Sequence, residues 1–248
     1  LGARVTVKSH AVITGWTGVG NFGTSAANGD ITLSPFEGST RYGWVSTNEG
    51  VKGVGLPGVG GPGFSTNGSV LNSVLFSANA GDELKFYFNY VTSDGAGYAD
   101  YAWARLLNAD FSEAALLFTA RTTPEGITAP GFSMPAPIAT LNPAGAPIVN
   151  GAPNWAPLAG DSGNCFDTGC GYTGWVEALY DIPVTGEYML QFGVVNWDDE
   201  AYQSGLAFDG ATIAGTVIGE PNPVPEPATA ALIGLGLLGL AASRRRRN

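Results

Sequence analysis

The chain has few charged residues and only one histidine, and both scarcities narrow the classes of protein it can be. Of its 248 residues, 13% are charged and 44% are hydrophobic, so an apolar core can form and disorder of the whole chain is excluded. With His10 as the single histidine, no coherent catalytic constellation is visible, and we expect a protein that is not an enzyme. Together with 37 glycines and 16 prolines, these features favour an all-β extracellular domain.

Cysteine is also scarce, and the two cysteines, Cys165 and Cys170, lie within the segment GNCFDTGCGYTGW. Their spacing of five excludes a CxxC redox motif, and no second pair of Cys or His residues is present to complete a zinc site. We therefore expect a local disulfide bond, which requires an oxidising compartment. The chain begins at Leu1 without a recognisable signal peptide, so we expect that an N-terminal leader is missing from it.

Positive charge is scarce over most of the chain. Seven of the 11 Lys and Arg residues precede residue 244, against all 21 Asp and Glu residues, which gives residues 1–243 a formal charge of −14. Such a surface repels phosphate backbones, so nucleic-acid binding is not expected. It attracts cations instead, and calcium is the obvious candidate outside the cell.

Long helical patterns are absent before residue 228, whereas alternating patterns recur. In ELKFYFNYV (83–91) and YMLQFGVV (188–195), every second residue is apolar or aromatic, which predicts strands with one face in a core. Further strands are expected at Val5–Ile13, Ala102–Leu107, Ala115–Ala120, Trp175–Tyr180 and Leu206–Ile213.

Two stretches without a regular pattern separate these strands, a glycine-rich one at 50–69 and a proline-rich one at 122–164. The second is long for a structureless loop, so we expect it to pack across one face of a sheet or to extend from a sheet end. We predict one domain over residues 1–218, a linker at 219–223 and a C-terminal segment at 224–248. The domain is predicted to be all-β, a jelly-roll-like sandwich of two sheets, followed by a short C-terminal hydrophobic helix.

Two motifs resemble catalytic or phosphate-binding sites but lack the residues that such sites need. GDSGN (160–164) is similar to the nucleophile segment of chymotrypsin-like proteases, but their AAHC histidine motif is missing, so we interpret Ser162 as part of a turn. GVGLPGVGGPG (53–63) lacks the Lys-Ser/Thr end of a P-loop and is interpreted as a loop. The paired carboxylates of a glycosidase are not identifiable from spacing, which leaves a secreted hydrolase as a remote alternative.

Acidic residues gather in TSDGAGYADYAW (92–103) and VNWDDEAYQSGLAFDG (195–210). Each stretch joins two predicted strands, so both are expected at the same edge of the sandwich, where calcium prefers carboxylate and carbonyl oxygens on loops. A structural calcium ion is one interpretation, and a solvated acidic loop is the other. The candidate calcium ligands are Asp94, Asp100, Asp198, Asp199 and Asp209.

Several aromatic residues near predicted loops are candidates for a platform that stacks on sugar rings, namely Trp16, Trp44, Trp155, Trp197, Tyr98 and Tyr202. Such a platform needs exposed, coplanar rings, and ordinary packing is the alternative. Trp103 and Trp175 lie inside strand patterns and are expected in the core.

The C-terminus joins Pro225, Glu226 and Pro227 to an apolar run and to four arginines, Arg244, Arg245, Arg246 and Arg247. The run at 228–242 has 15 residues, and as a helix it spans about 22 Å, short of the roughly 30 Å bilayer core. Basic residues stay on the cytoplasmic side of the membrane. We therefore predict a temporary membrane segment, centred on Leu232, Ile233, Leu235, Leu237, Leu238 and Leu240, with the arginines as a topological stop.

This tail, VPEPATAALIGLGLLGLAASRRRRN (224–248), closely resembles the PEP-CTERM sorting signal of Gram-negative bacteria, because all three parts of that signal occur in order at the C-terminus. The resemblance implies export, transient tethering to the inner membrane, and recognition of Pro225-Glu226-Pro227 by an exosortase that removes the tail. It also implies that the cell surface or extracellular matrix is the destination.

Proteins with this signal typically accompany exopolysaccharide production. The segments FYFNYVTSDGAGYADYAWARLL and LQFGVVNWDDEAYQSGLAFDG are similar to the uncharacterised β-sandwich ectodomains that such proteins carry. We expect a non-catalytic structural or adhesive protein of the cell envelope or biofilm matrix. The alternative is a carbohydrate-binding module whose partner is an extracellular polysaccharide.

Overall fold

The computed structural model describes residues 13–219, and these form a sandwich of two antiparallel β-sheets. One 3₁₀ helix, Ala156–Asp161, lies between β11 and β12. The strands are β1 (Thr17–Val19), β2 (Asn21–Ser25), β3 (Tyr42–Ser46), β4 (Val51–Lys52), β5 (Ser65–Asn72), β6 (Phe76–Ala78), β7 (Glu83–Thr92), β8 (Tyr101–Asn108), β9 (Glu113–Arg121), β10 (Thr140–Asn142), β11 (Val149–Asn150), β12 (Gly171–Tyr172), β13 (Val176–Asp181), β14 (Gly186–Trp197), β15 (Ser204–Ile213) and β16 (Thr216–Val217).

The strand order is that of a jelly roll. The first sheet runs β1-β5-β14-β8-β9, with β4 beside β5 and β6 beside β14. The second runs β10-β13-β7-β15-β3-β2, with β12 beside β7, β11 beside β12 and β16 beside β15. Counted along the chain, the eight main strands are β3, β5, β7, β8, β9, β13, β14 and β15. In spatial order, the second sheet holds the first, eighth, third and sixth of them, and the first sheet holds the second, seventh, fourth and fifth. This arrangement confirms the predicted fold class.

The alternating patterns identified six of the eight main strands, since the predicted strands correspond to β7, β8, β9, β13, β14 and β15. Neither β3 nor β5 was predicted. Polar residues and glycine fill six of the eight positions of β5, STNGSVLN, which conceals its alternation. Residues 65–69, expected to end the glycine-rich loop, are in fact the first part of β5. The predicted strand at Val5–Ile13 lies outside the described residues except for Ile13, which is in a turn.

Aromatic rings from the two sheets stack on one another in the core. Phe192 of β14 and Phe208 of β15 have ring centroids 4.2 Å apart and nearly parallel planes. Phe118 of β9 and Phe88 of β7 are similarly stacked at 4.0 Å. Trp16 extends the first stack and lies 5.5 Å from Phe208. These contacts confirm the inward faces that the alternation predicted for β7 and β14.

Loops also cover the outer face of the first sheet. Trp103, Val195 and Trp197 point away from the core and are nonetheless buried, because Leu56 of the glycine-rich loop packs on them. The Trp103 ring lies across Gly193, its register partner on β14, where a Cβ atom would collide with the ring. The glycine-rich loop therefore serves as a cover for this sheet.

The outer face of the second sheet is covered by the end of the proline-rich stretch. Trp155 and Leu158 pack with Tyr42 and Ala207 in a separate buried cluster. The Trp155 indole N–H donates a hydrogen bond of 2.9 Å to the Tyr42 hydroxyl. Met134, from earlier in the same stretch, packs on the outer face of the first sheet. The stretch at 122–164 thus contacts both outer faces, and it contains β10, β11 and the 3₁₀ helix.

The predicted C-terminal features lie outside the described residues. These are the linker at 219–223 except for Gly219, and the segment at 224–248 with its hydrophobic helix. Over residues 13–219, no helix combines the length and hydropathy needed to cross a membrane.

We expect the substitution Phe192→Ala to lower the free energy of unfolding by about 3–5 kcal/mol, because it removes a buried ring that stacks across the two sheets. Urea denaturation followed by tryptophan fluorescence measures the change. Phe111→Ala is the control, since Phe111 is 63% exposed at the turn between β8 and β9, and a change of about 0.5 kcal/mol or less is expected there. Equal losses in the two variants would contradict the stacking argument.

Candidate functional site

At one end of the sandwich, the apolar core gives way to polar side chains between the two sheets. The inward face of β7 continues through Thr92 to Asp94, just beyond the strand. Asn196 of β14 and Ser204 of β15 also point inward, and Asp100 immediately precedes β8. Each of these five residues is at most 1% exposed. We call them the polar end layer.

Asp100 links the two sheets within this layer. Its Oδ1 accepts a hydrogen bond of 2.8 Å from the Trp197 N–H of β14. Its Oδ2 accepts one of 2.6 Å from the Ser204 hydroxyl of β15, which itself lies 2.8 Å from the Thr92 hydroxyl. Burial, and then the charge of Asp94, raise the pKa of Asp100 well above its usual range. Asp100 therefore connects the two sheets through hydrogen bonds, and its buried carboxyl group favours the protonated form.

Asp94 is buried beside Asp100 but is only half satisfied. Its Oδ1 accepts a hydrogen bond of 2.7 Å from the Gly95 N–H, whereas its Oδ2 has no hydrogen-bond partner in residues 13–219. Burial, and to a smaller extent the neighbouring carboxylates of Asp199, Asp161 and Asp167, raise the pKa of Asp94 to about 7. Asp94 thus carries an unusually costly negative charge at neutral pH.

Only some of the predicted calcium candidates are brought together. Asp199 is an electrostatic neighbour of both Asp94 and Asp100. Asp198 is exposed, and its Oδ1 accepts a hydrogen bond of 3.0 Å from the Phe64 N–H of the glycine-rich loop. The described part of the chain contains no group of three or more His, Cys, Asp or Glu side chains arranged to hold a metal ion.

Asp209 does not belong to this cluster. It lies five residues from Ser204 along β15, a distance of about 17 Å. There its carboxylate accepts hydrogen bonds from the hydroxyls of Ser34 and Ser39 and from the Gly210 N–H. This carboxylate is a structural acceptor for the 34–39 loop.

Next to the polar end layer, three aromatic side chains form a group at the surface, in which Tyr98 and Phe166 are exposed and Tyr202 is half-buried. The predicted disulfide bond between Cys165 and Cys170 is confirmed, and the loop that it closes presents Phe166 with 46% exposure. The Phe166 ring centroid lies 5.3 Å from that of Tyr98 and 4.9 Å from that of Tyr202. We call these three rings, Tyr98, Phe166 and Tyr202, the aromatic cluster.

The backbone holds the aromatic cluster beside the polar end layer. The Phe166 N–H donates a hydrogen bond of 2.9 Å to the carbonyl of Ser93, the residue before Asp94. The loop that carries Tyr202 contains two non-glycine residues in the left-handed region, Asp198 with φ +69° and Tyr202 with φ +52°. Such conformations persist only where their surroundings enforce them, and they concentrate at ligand sites.

The chemistry of the aromatic cluster suits a small polar ligand with an apolar face. Its rings are inclined by 74° and 50° to one another, so they do not form a flat platform. The cluster therefore does not present a row of coplanar ring faces for stacking. The exposed carboxylate of Asp167, adjacent to Phe166, can accept hydrogen bonds from hydroxyl groups.

The predicted sugar platform is wrong for its tryptophans. Trp16, Trp155 and Trp197 are 9%, 1% and 6% exposed, and Trp44 is half-buried in β3. Trp16 packs within the core, whereas Trp44, Trp155 and Trp197 pack in the apolar clusters on the outer faces of the two sheets. Only Tyr98 and Tyr202 of the predicted platform belong to the aromatic cluster. Of the two expected core tryptophans, Trp103 is fully buried and Trp175 is half-buried.

Arg121 is buried on the outer face of the first sheet, close to this end. Its guanidinium carbon lies 4.8–5.3 Å from three ring centroids, those of Trp197, Phe132 and Tyr101. One of its nitrogens, Nη1, donates a hydrogen bond of 2.6 Å to the Gly60 carbonyl. Burial lowers the pKa of Arg121. The cation is thus held by aromatic faces, and it is not ion-paired with Asp94 or Asp100 among the described residues.

The GDSGN segment forms a turn at the end of the 3₁₀ helix, as interpreted from the sequence. The Ser162 hydroxyl accepts a hydrogen bond of 2.9 Å from the Trp155 N–H. The neighbouring Asp161 carboxylate accepts one of 3.1 Å from the Gln203 N–H. His10 lies outside the described residues.

Two residues of this region, Phe166 and Asn196, were not singled out from the sequence. Phe166 lies within a disulfide loop with only four residues between the cysteines, which is too short to bury a large ring within itself. Asn196 continues the inward series of Phe192 and Val194, where an apolar residue is the ordinary choice. A polar residue in such a series is the signal that could have revealed it.

Comparison with known families identifies the C-terminal tail. Residues 223–247 match the model of the PEP-CTERM protein-sorting motif. The chain therefore carries this motif, which includes Pro225-Glu226-Pro227, the apolar run and the four arginines. The motif implies exosortase-sorted export and a membrane-anchored precursor. No curated protein matches the chain by sequence.

Three solved structures resemble this chain at low structural and sequence similarity. The enzymatically active domain of tailspike protein 4 of bacteriophage CBA120 has 10% identity and a TM-score of 0.34, over 80% of this chain and 19% of that one. The K1 cleaved adhesin domain of Lys-gingipain from Porphyromonas gingivalis W83 has 9% identity and a TM-score of 0.33, over 80% and 89%. A CBM4 structure has 11% identity and a TM-score of 0.32, over 81% and 94%. This chain thus spans about a fifth of the tailspike domain.

In metal-free buffer, we expect the free energy of unfolding to fall as the pH rises from about 4 to about 7. An ordinary Asp titrates near 3.9, so the unfolded chain releases a proton that Asp94, with a pKa of about 7, still holds when folded. The stability that this proton contributes is complete below pH ~4 and is lost as the pH rises through ~7. Asp94→Asn removes this titration and should flatten the profile. Urea denaturation with EDTA at several pH values measures it, and identical profiles for the two proteins would contradict the assignment.

Proposed function

We propose that this chain, a carrier of a PEP-CTERM motif, is an exported protein of the cell envelope or biofilm matrix whose sandwich has a structural or adhesive, non-catalytic role. The observation that carries the proposal is the motif at residues 223–247. An exosortase removes the tail near Pro225-Glu226-Pro227, and the processed sandwich then remains at the cell surface or in an exopolysaccharide matrix. The predicted disulfide bond supports an oxidising location for the domain.

The direction of β15 supports a role in contacts away from the membrane. β15 begins at Ser204, in the polar end layer, and ends at Ile213, about 30 Å away. Residues 214–219 follow from that second end towards the motif. A precursor held by its tail therefore has the aromatic cluster at the end of β15 remote from the chain's exit, where it is available to an extracellular partner.

We expect the protein from cells with the exosortase to lack its arginine tail, and the protein from cells without it to retain the intact C-terminus. Glu226→Ala should also retain the tail, because it alters the recognition motif. Pro221→Ala is the control, since it lies outside the matched residues 223–247 and should be processed normally. Mass spectrometry of the C-terminal peptide measures each outcome. An intact Arg244–Arg247 tail in the mature protein from exosortase-bearing cells would refute processing.

A second function, carbohydrate binding, is favoured by one specific observation, the exposed aromatic cluster beside carboxylates. Sugar recognition combines a ring that stacks on the apolar face of a sugar with acceptors for its hydroxyl groups. Phe166 supplies the most exposed ring of the cluster, and Asp167 supplies an acceptor. The inclined rings favour one or two sugar units at a chain end or branch over a long stretch of polysaccharide.

If the aromatic cluster binds sugar, Phe166→Ala should weaken binding about 5- to 100-fold, the effect of losing one stacking contact of roughly 1–3 kcal/mol. A glycan array first selects a ligand, and titration calorimetry then measures the affinity. Phe111→Ala, which also removes an exposed phenylalanine, should bind as the unaltered protein does. Binding that survives Phe166→Ala unchanged would place the sugar site elsewhere, and the absence of any glycan ligand would leave the structural role as the better proposal.

A further inference from the structure

The polar end layer contains more buried acceptor atoms than donors. Asp94 Oδ2 and Asn196 Oδ1 are both buried without a hydrogen-bond partner in residues 13–219, and Arg121 supplies the other two such side-chain atoms. A buried acceptor without a partner costs about 1–3 kcal/mol, and more if it is charged. Both unpaired oxygens lie on inward-facing residues at the same end of the sandwich. A missing positive partner accounts for both.

The surrounding charges point to the same conclusion. Asp94 and Asp100 are buried carboxyl groups whose charges repel each other, and Asp199 repels both. Asp161 and Asp167 add further negative potential at Asp94. The phenol of Tyr90, which also faces this group, is held neutral because burial raises its pKa. Buried charges of one sign require a proton or a cation.

No described side chain provides that cation. The ion pairs among residues 13–219 are Lys52 with Glu200, Lys85 with Glu177 and Arg105 with Glu113. Arg121 attracts Asp100 electrostatically, but its guanidinium lies among aromatic rings on the outer face of the first sheet. The positive partner of Asp94 must therefore come from solution or be a proton.

We propose that the polar end layer binds one calcium ion, with Asp94 Oδ2 as its charged ligand and neutral oxygens of the layer, among them Asn196 Oδ1, as the remaining protein ligands. Calcium accepts six to eight oxygen ligands of mixed type in irregular geometry, and water completes its shell. Magnesium requires a nearly ideal octahedron at shorter distances. A sulfur-preferring metal is disfavoured, because both cysteines are in the disulfide bond.

The ligand set also predicts how tightly the ion is held. No described group of three acidic, Cys or His side chains converges on one point, so the site has a low ligand charge. Calcium sites of extracellular modules with few charged ligands have dissociation constants of about 0.1–1 mM. We expect an affinity in that range. The ion would join the Asp94 loop to β14 and so order the backbone that supports Phe166.

Thermal unfolding of the whole 248-residue chain in mild detergent tests this proposal without any glycan. Calcium at about 100 times its dissociation constant should raise Tm by roughly 5–10 °C, since it binds the folded state alone. The same concentration of magnesium should raise it much less. Titration calorimetry with calcium chloride should give one site per chain.

Asp94→Asn separates the calcium site from a neutral, protonated carboxyl. The amide removes the unpaired charge and can still accept the Gly95 N–H, so in metal-free buffer this variant should have a higher Tm than the unaltered protein. Its Tm should no longer respond to calcium. Asp110→Asn is the matched control, because it makes the same chemical change at an exposed carboxylate in the β8–β9 turn and should keep the full calcium response.

Three results would overturn the proposal. They are a calcium response that persists in Asp94→Asn, an equal response to magnesium, and no response of the unaltered protein to calcium at about 10 mM, well above the expected dissociation constant. The last result, with a stabilised Asp94→Asn, would assign the charge balance to a proton alone. Failure of sugar binding leaves the calcium site untouched, because the two measurements use different ligands.

Discussion

The stacking of aromatic rings across the two sheets is the contact on which the rest of the structure depends. Phe192 against Phe208, and Phe118 against Phe88, each join one strand of the first sheet to one of the second at about 4 Å between ring centroids. The two strands of each pair are near neighbours along the chain but belong to different sheets, so the stacks form only when both sheets are assembled. Large flat rings fill the space between twisted sheets with few rotatable bonds, which gives the sandwich one preferred packing.

The same packing explains why the sandwich has covers on both sides. A two-sheet protein ordinarily exposes the outer faces of its strands, but β15 is buried at all ten positions. On the first sheet, the glycine-rich loop closes over Trp103, and on the second sheet Trp155 of the proline-rich stretch itself covers Tyr42 and Ala207. Turns rich in glycine and proline can follow such surfaces closely, because glycine permits backbone approach and proline restricts the unfolded chain. The loops are thus part of the folded body.

At the end of the sandwich that holds the polar end layer, hydrogen bonds replace apolar packing between the two sheets. Strands leave the core there, and their backbone groups need partners. Asp100 accepts a hydrogen bond from the Trp197 N–H of one sheet and another from the Ser204 hydroxyl of the other. This requirement is met at Asp100 but leaves an unpaired oxygen at Asp94, only a few residues from the aromatic cluster. Unfavourable groups of this kind persist where another function compensates for them. The proposed ion and the proposed sugar site would both occupy this end, remote from the exit of the chain towards its sorting motif.

Period and order along the chain were enough to predict several features. The alternation in 83–91 and 188–195 predicted β7 and β14 with their inward faces, because a strand must repeat every two residues wherever it is paired. The disulfide bond followed from a local spacing, and the sorting motif from three parts in a linear order. None of these depends on which distant segments meet.

Features that depend on distant partners were decided by the tertiary structure. β5 is a strand although its residues are mostly polar, because Asn67 and Ser69 bond to the backbone of residues 46 and 47 in the other sheet. Trp155 and Trp197 are buried because loops close over them, whereas Phe166 is exposed because its loop is too short to cover it. Asp94 and Asp209 look alike in the sequence, yet only Asp209 meets hydroxyl donors. Exposure and charge balance are set by neighbours far away in the chain. The sequence by itself therefore determined the strands with a clear alternation and the sorting motif, and the fold decided the remaining strands and which side chains face a partner.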